Sequence, residues 1–323
     1  MRIEQGARII VENWLHAQPE DVLHFITDET KLQEAEAFTR AAQAVGAIPK
    51  LSILPADSIQ AGDSIEEMRN IMSYATAIVG ATNYSFITTN AVDYALRHGA
   101  RFLSLPLSTN DGSSLLEQEF IKMDPNVAAR MGRPMLRCLR SSDTVHITTK
   151  LGTDIHFSVR GRTPGIFNGV TARAGVCASA SFEVYIPPVE TVTHGRVVLD
   201  GSMGYIGLVE KPLELGFENG YLTYIEPTPD GQKLKHYLEQ FGDPEMYCAA
   251  ELGIGLNRLS KCRGASYIED ESTYGTFHIG FGRNLALGGD HDAAGHFDIV
   301  VHDPTIITGE SVLMIDGEST AWF

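Results

Sequence analysis

His296 and Asp298 are separated by one residue in the segment HFDIVV, near the end of the chain. On a β-strand, alternate side chains point to the same face, so this imidazole and this carboxylate can reach one cation. Together they suit a divalent ion of zinc, iron, manganese or cobalt. The apolar residues that follow indicate a buried strand, where a carboxylate needs a positive partner. The alternative interpretation is a simple hydrogen bond between the two side chains at a strand end.

Three more residues of the same chemical types lie in apolar, glycine-rich surroundings. His278 lies in GTFHIGFG, Glu251 precedes LGIG, and Glu183 lies in SFEVYIPP. A carboxylate in such a context is costly to bury unless it is paired. With His296 and Asp298, these side chains would suffice for one or two divalent ions. The spacing alone leaves open whether they converge, because a lone histidine such as His278 is often part of a core.

The first part of the chain alternates between helical and strand-like patterns. Helices are predicted over residues 5–16, 30–45, 64–75 and 90–98, and strands over 21–26, 50–54, 76–79 and 102–105, with further helical material at 114–137. Strands that alternate with helices predict a parallel sheet with helices on its faces. We therefore predict an α/β N-terminal domain over residues 1–138.

The pattern changes after residue 143. A hairpin is predicted over residues 145–149 and 154–159, strands over 183–186, 194–199, 205–209 and 221–225, and helices over 231–240 and about 244–250. Glycine and proline separate these short runs. We predict a β-rich α+β C-terminal domain over residues 139–323, packed on the first domain and carrying the candidate metal ligands.

Composition excludes several classes of function. The chain has 323 residues, 43% of them hydrophobic, and a formal net charge of −16, which argues against binding to nucleic acid or anionic membranes. No run of 18 apolar residues predicts a membrane span, and the first residues do not resemble a signal peptide. The four cysteines lack zinc-finger spacing and are interpreted as reduced thiols, so we predict a cytoplasmic protein.

Several segments resemble the M29 family of metallo-aminopeptidases, of the aminopeptidase T/S type. The similar segments are residues 7–30 with the following helix, LGTDI at 151–155, FEVYIPPVE at 182–190, ELGIGLN at 251–257, DE at 270–271, GTFHI at 275–279, HFD at 296–298 and PT at 304–305. The resemblance implies five metal ligands: Glu183, Glu251, His278, His296 and Asp298.

The same resemblance implies a mechanism. Two divalent ions of zinc, cobalt or manganese would be joined by a carboxylate, Glu251 or Glu183, and would activate water to attack an amide or peptide carbonyl. Glu271 or His291 would act as a proton carrier. The substrate would be a peptide or a small molecule, and the enzyme would be a homodimer.

Other candidate site residues come from departures and from local pattern. The tyrosine that the M29 family carries shortly after the histidine is replaced here by RNL at residues 283–285, and Tyr274 is the nearest substitute. Arg160 could bind a substrate carboxylate, and His194 could reach the cleft. Both are also compatible with surface roles.

A second group of enzymes is similar to the same segments. The ring-opening 2,5-dihydroxypyridine 5,6-dioxygenases use one ferrous ion, held by two histidines and one carboxylate. His296 and Asp298 match two of these ligands, whereas the position of the third, a histidine, is occupied by Glu251. The main hypothesis is thus a metallohydrolase, the alternative is a non-haem Fe(II) dioxygenase acting on a hydroxylated N-heterocycle, and a third is a binding protein that has lost catalysis.

Overall fold

The structure is a computed structural model that describes residues 1–56, 62–87, 89–171 and 173–320. The helices are α1 Ile3–Ile9, α2 Leu32–Ala44, α3 Gly62–Glu67, α4 Arg69–Met72, α5 Asn90–Arg97, α6 Pro125–Arg140, α7 Pro229–Glu239 and α8 Tyr267–Ser272. The strands are β1 Val22–Asp28, β2 Ile48–Leu54, β3 Ala77–Ala81, β4 Arg101–Ser104, β5 Thr144–Thr148, β6 Asp154–Ser158, β7 Gly165–Asn168, β8 Cys177–Ser179, β9 Phe182–Ile186, β10 His194–Leu199, β11 Ser202–Met203, β12 Gly207–Leu208, β13 Leu213–Glu218, β14 Tyr221–Ile225, β15 Ala249–Gly255, β16 Thr276–Gly282, β17 His296–His302, β18 Thr305–Thr308, β19 Ser311–Ile315 and β20 Glu318–Ser319.

A parallel sheet of five strands forms the centre of the first compact unit, which comprises Met1–Pro125 and Phe167–Ser181. The strand order is β2-β1-β3-β4-β8, and every neighbouring pair is parallel. Strands β3 and β4 are buried along their whole length, as expected where helices cover both faces of a parallel sheet. Helix α2 packs an apolar stripe on this sheet, with the ring of Phe38 stacked on Phe25 at 5.1 Å.

Antiparallel strands dominate the second compact unit, which comprises Asn126–Ile166 and Phe182–Phe323. One sheet has eight strands in the order β14-β13-β10-β6-β5-β18-β19-β20. The other has seven strands in the order β12-β11-β17-β16-β15-β9-β7. The prediction of a parallel α/β N-terminal part and a β-rich C-terminal part is confirmed. The domain boundary at residue 138 stays a prediction, because compactness does not measure independent folding.

Some elements differ from their predicted form. Residues 205–209, predicted as a strand, form a 3-10 turn at Gly204–Ile206 followed by the short strand β12. Residues 244–250, predicted as a helix, form a 3-10 turn at Pro244–Tyr247 and then enter β15. The reason is non-local, because β15 pairs with β16 on one side and with β9 on the other.

The helical pattern near the start also has a different ending. Helix α1 continues into a π-helical turn at Ile10–Trp14, which buries the Trp14 ring. Helical material before α6 is limited to 3-10 turns at Leu115–Glu117 and Glu119–Lys122. Among the helices that the structure describes, none has the length and apolar character needed to span a bilayer.

Candidate metal centre

Four neighbouring strands of the seven-stranded sheet carry the five predicted metal ligands. In the order β17-β16-β15-β9, they bear His296 with Asp298, then His278, then Glu251, then Glu183. The predicted i, i+2 arrangement of His296 and Asp298 on one strand is present. All of these side chains are buried except His296, which keeps about a quarter of its surface.

Glycines stand opposite the ligands in the strand register. Gly253 pairs with His278, and Gly280 pairs with Glu251 on one side and with Asp298 on the other. A Cβ on Gly280 would lie 2.7 Å from His296 Nε2, closer than real Cβ atoms approach. The glycine pattern noted in the sequence is therefore the space in which the ligand side chains lie.

The first donor group consists of Glu183, Glu251 and His278, whose ligand atoms lie within 4.8 Å of one another. His278 Nε2 is 2.7 Å from Glu183 Oε2. All three residues are buried, so the nitrogen and the oxygens face a small space from which most water is excluded. One imidazole and two carboxylates at this separation can hold one divalent ion.

The second donor group consists of Glu251, His296 and Asp298, also within 4.8 Å. His296 Nε2 lies 3.0 Å from Glu251 Oε2 and 3.2 Å from Asp298 Oδ1. His296 Nδ1 lies 2.8 Å from the Arg283 carbonyl oxygen, which accepts a hydrogen bond. A neutral ring must donate from Nδ1 here, which leaves the Nε2 lone pair for a metal. Glu251 belongs to both groups.

A β-bulge sets the position of Glu251. The register of β15 against β16 shifts between Ala249 and Glu251, so Ala250 is the extra residue. A bulge leaves one residue outside the ladder and re-aims its neighbours, and this one brings Glu251 opposite Gly280. The carbonyl of Ala250 accepts a hydrogen bond of 3.0 Å from Asn284 Nδ2.

The donor set fits a cation. Asp298 Oδ1 is buried and makes no hydrogen bond of good geometry among the described residues, although His296 Nε2 lies 3.2 Å away. Glu271, from α8, adds a further buried carboxyl to those of Glu183 and Glu251. Clustered buried carboxylates are stable only with compensating positive charge. Divalent ions that accept mixed nitrogen and oxygen ligands meet this requirement.

Protonation in the cluster shows the same demand for positive charge. Burial, followed by the neighbouring carboxylates, raises the pKa of Glu251 and raises that of Glu271 well above its usual value. Burial lowers the pKa of His278, but the charge and hydrogen bond of Glu183, together with the charges of Asp298 and Glu251, outweigh this effect and raise the pKa to about 9. In the same way, Asp298 raises the pKa of His296 despite its burial. Protons thus occupy the cluster where a cation would otherwise lie.

Two tyrosines lie beside the buried carboxylates. The rings of Tyr205 and Tyr267 are 4.5 Å apart, and Tyr267 begins the helix that carries Glu271. Burial raises the pKa of both hydroxyls well above the usual value, and the charges of Glu271 and Asp298 raise it further. The tyrosine expected after His278 is absent from the sequence, whereas the hydroxyls of Tyr205 and Tyr267 interact electrostatically with Glu271 and Asp298.

The predicted catalytic residues Tyr274 and His291 have other neighbours. The Tyr274 hydroxyl donates to Glu318 Oε2 at 3.2 Å, and the Arg258 guanidinium lies 3.9 Å from its ring centre. His291 Nε2 lies 3.0 Å from the Glu245 carbonyl oxygen. Their catalytic roles, and that of Glu271, stay predictions.

The predicted substrate-binding residues lie on exposed surfaces. Arg160 Nε donates to Asp143 Oδ2 at 3.1 Å, and its side chain is largely exposed. His194 lies at the start of β10 and stacks on His156 at 5.1 Å between ring centres. Their binding roles also stay predictions.

Asn284 is a positioning residue that the sequence did not single out. It is completely buried, and its Nδ2 also donates to Glu190 Oε1 at 2.9 Å. Its Oδ1 accepts a hydrogen bond of 2.8 Å from the His291 backbone. Glu190 in turn forms a largely buried ion pair with Arg162. Asn284 therefore joins the bulge beside Glu251 to the segment that leads to His296. It lies in the RNL segment, which the sequence had marked only for its missing tyrosine.

Comparison with known proteins identifies the family of this centre. The family model described as "NicX: 2,5-dihydroxypyridine 5,6-dioxygenase" matches residues 15–321. The chain belongs to this family. It is therefore an enzyme of a NicX-type, metal-binding family. Of the two resemblances found in the sequence, the one to 2,5-dihydroxypyridine 5,6-dioxygenases is better supported than the one to M29 aminopeptidases.

Individual relatives agree with this assignment. A 2,5-dihydroxypyridine 5,6-dioxygenase of Pseudomonas putida KT2440 is 23% identical over 196 residues, which are 57% of this chain and 56% of the relative. The match thus spans little more than half of that curated relative. The solved structure of the 2,5-dihydroxypyridine dioxygenase from the same organism has a TM-score of 0.82 at 19% identity, covering 99% of this chain and 97% of that one.

The resemblance to M29 enzymes is supported at the level of fold. AmpT from Thermus thermophilus has a TM-score of 0.67 at 13% identity and covers 99% of both chains. At such low identity, both solved structures show a shared fold and do not establish a shared reaction. This chain therefore shares one fold with both proteins, and fold alone does not assign its reaction.

Proposed function

We propose that the chain is a non-haem Fe(II) dioxygenase that opens the ring of a hydroxylated N-heterocycle. The observation that carries this proposal is the convergence of His296, Asp298 and Glu251 in one donor group of a NicX family member. His296 and Asp298 occupy the positions that the resemblance assigned to iron ligands. The substrate class follows from the name of the family and its curated relative.

Glu251 is the departure from the two-histidine, one-carboxylate triad. Its donor group contains one imidazole and two carboxylates. An additional carboxylate supplies charge in place of a second imidazole and still suits Fe(II) among the first-row divalent ions. The proposal therefore includes a more negative iron site than the triad would give.

When bound, Fe(II) would supply open coordination positions and an electron for the activation of dioxygen. The residues of the chain supply the rest. Arg283, through its carbonyl oxygen, holds His296 in the tautomer that presents Nε2. Glu271, a buried carboxyl on α8 that interacts electrostatically with Asp298, Glu183 and Glu251, is the group that would exchange a proton with the substrate.

The test is oxygen consumption by purified enzyme loaded anaerobically with Fe(II) and given 2,5-dihydroxypyridine. Both oxygen atoms enter the product as the ring carbon–carbon bond breaks, so the product has the mass of the substrate plus one dioxygen. A His296→Ala variant should consume no oxygen and bind little iron. If fully iron-loaded enzyme fails to consume oxygen with this and related hydroxypyridines, the proposal is wrong.

A second candidate is the metallohydrolase of aminopeptidase type, and one specific observation favours it. Glu251 is shared by the two donor groups, as a carboxylate that bridges two ions must be. The five ligands implied by the M29 resemblance all contribute to these groups. Two ions of zinc, cobalt or manganese would make a water nucleophilic toward an amide or peptide carbonyl.

Metal content and oxygen dependence distinguish the candidates. The hydrolase requires two ions per chain and releases an amine from an aminoacyl anilide without oxygen. His278→Ala should remove the second ion and abolish hydrolysis, whereas the Fe(II) enzyme should keep its ion. The proposal also includes a homodimer and a cytoplasmic location. Sedimentation velocity would measure the oligomeric state.

A further inference from the structure

Three histidines form a row across the eight-stranded sheet. His146 on β5 pairs with His156 on β6, and His156 pairs in turn with His194 on β10. The rings of His146 and His156 are 4.0 Å apart at 8°, and those of His156 and His194 are 5.1 Å apart at 9°. Because strands in a sheet lie about 4.8 Å apart, cross-strand pairing alone brings these imidazoles together.

A carboxylate completes the row. Asp154 lies two residues before His156 on β6, and therefore on the same face of the sheet. Its Oδ1 is 2.8 Å from His146 Nε2 and 3.5 Å from His156 Nε2. The ligand atoms of His146, Asp154 and His156 all lie within 4.8 Å of one another.

We propose that His146, Asp154 and His156 form a surface site for a divalent transition-metal ion such as Zn²⁺, with His194 as a fourth ligand. Two or three imidazole nitrogens and one carboxylate oxygen are a ligand set that Zn²⁺ accepts in tetrahedral sites. Magnesium and calcium prefer oxygen ligands, so the site is expected to discriminate against them. The site lies in a different sheet from the metal centre and does not depend on the proposed function.

The side chains have freedom to bind, and the environment of one ring favours the form that a metal requires. Burial, followed by the neighbouring His146 and His194, lowers the pKa of His156, which favours the neutral ring that a metal requires. His194 Nδ1 lies 3.1 Å from the Val192 carbonyl oxygen, which leaves Nε2 for the ion. All of these side chains are at least one-third exposed, so the stacked rings can turn to direct their lone pairs at one point.

A positive charge beside the row, that of Arg196, is restrained by its own partners. Arg196 pairs with Asp154 across the β6–β10 ladder. Its Nε donates to the Gly152 carbonyl at 2.8 Å, and its Nη1 is 3.7 Å from Glu214 Oε2. Since these contacts hold the guanidinium, Asp154 keeps an oxygen directed at the histidines.

The test is calorimetric titration with Zn²⁺ of enzyme whose metal centre is already loaded. The wild-type chain should bind one more Zn²⁺ than the double variant His146→Thr/His156→Thr, in which threonine keeps the strand propensity. Asp154→Asn alone should weaken this binding by about tenfold or more and keep the shape of the side chain. In both variants, the metal content of the metal centre and the activity of the enzyme should equal those of the wild type.

His236→Gln is the matched control, because it removes another exposed histidine, on α7, outside the row. It should bind Zn²⁺ as the wild type does. Equal Zn²⁺ binding by the wild type and the double variant would overturn the proposal. So would an Asp154→Asn variant with unchanged affinity, a result that can be obtained even if the double variant does not fold.

Discussion

Gly253 lies directly opposite His278 on the neighbouring strand, and the imidazole occupies the space that a side chain at Gly253 would need. A Cβ there would lie 1.9 Å from His278 Nε2 and 2.7 Å from Glu183 Oε2. Gly280 has the same relationship to His296 at the other donor group. The two ends of the centre can therefore be perturbed separately.

Gly253→Ala tests how many ions the enzyme needs. The methyl group should displace His278 and Glu183, because the flanking residues Leu252 and Ile254 are buried and prevent the strand from moving away. We expect the Fe(II) dioxygenase to keep its one ion and most of its oxygen consumption. A two-metal hydrolase would lose one ion per chain and its activity, as measured by elemental analysis of dialysed protein.

Gly280→Ala is the companion substitution. Its Cβ would lie 2.7 Å from His296 Nε2 and 2.8 Å from Glu251 Cβ, so it disturbs the group common to both candidate functions. We expect loss of metal and of activity with either chemistry. Retention of full iron content by this variant would show that His296 is not a ligand.

Glu251→His restores the histidine that the dioxygenase resemblance places at this position. The donor group would then contain two imidazoles and one carboxylate, and the shared carboxylate would be lost. We expect Fe(II)-dependent oxygen consumption to be kept or increased and any hydrolysis of anilides to disappear. Glu251→Gln, which removes the charge and supplies no imidazole, should weaken metal binding by at least the roughly tenfold to hundredfold that the loss of an outer-shell partner costs. A Glu251→His enzyme that hydrolyses anilides at the wild-type rate would contradict the bridging role.

Asn284→Ala tests the support of the bulge. The substitution leaves the buried carbonyl of Ala250 and the carboxylate of Glu190 without this donor, at a cost of about 1–3 kcal/mol in the free energy of unfolding. Because the bulge positions Glu251, metal affinity should fall as well. Urea unfolding and metal titration measure the two effects. Gln232→Ala, on the exposed side of α7, is a control that should change neither.

His24 makes the fold sensitive to acid. Burial and, to a lesser degree, Lys50 lower its pKa to about 4, and its Nε2 lies 2.8 Å from Ser52 Oγ. Between the ordinary histidine pKa of about 6.5 and the folded value, the unfolded chain takes up a proton that the folded chain refuses. The contribution of His24 to the free energy of unfolding is therefore complete above the ordinary histidine pKa. It falls by about 3 kcal/mol as the pH decreases from that value to the folded pKa.

The measurement compares urea unfolding of the wild type and His24→Gln at neutral pH and near the folded pKa. The variant has no group to titrate at this position, so its stability should fall less on acidification. Equal losses of stability in the two proteins would show that His24 is not the cause.

The five predicted metal ligands could be proposed from sequence because their residue types and the glycines around them are local properties, and because the M29 resemblance implied the full set. His296 and Asp298 needed only the two-residue period of a strand. The strand that carries Glu251 was partly mistaken for helix, because residues 249 and 250 are alanines and pairing on both sides overrides their propensity. Strand β8 was missed for a similar reason, since it joins the parallel sheet from far along the chain.

The sequence could not predict the register between neighbouring strands, that is, which residues lie opposite one another. His146 and His194 are 48 positions apart, and only the pairing of β5, β6 and β10 places them beside His156. The bulge at Ala250 and its contact with Asn284 likewise depend on alignment between strands and not on a motif. Long-range pairing also explains why no residue type marked Asn284 beforehand.

The bare glycine positions opposite the ligands have an evolutionary consequence. Since Gly253 and Gly280 present no side chains, the space in front of them belongs to the donor residues, and a donor of similar size can replace another without meeting a side chain from the facing strand. A single substitution such as glutamate for histidine at residue 251 can then alter the number and kind of ions held while the sheet stays the same. On such a scaffold, the oxygen-using and water-using chemistries proposed above would be separated by very few mutational steps.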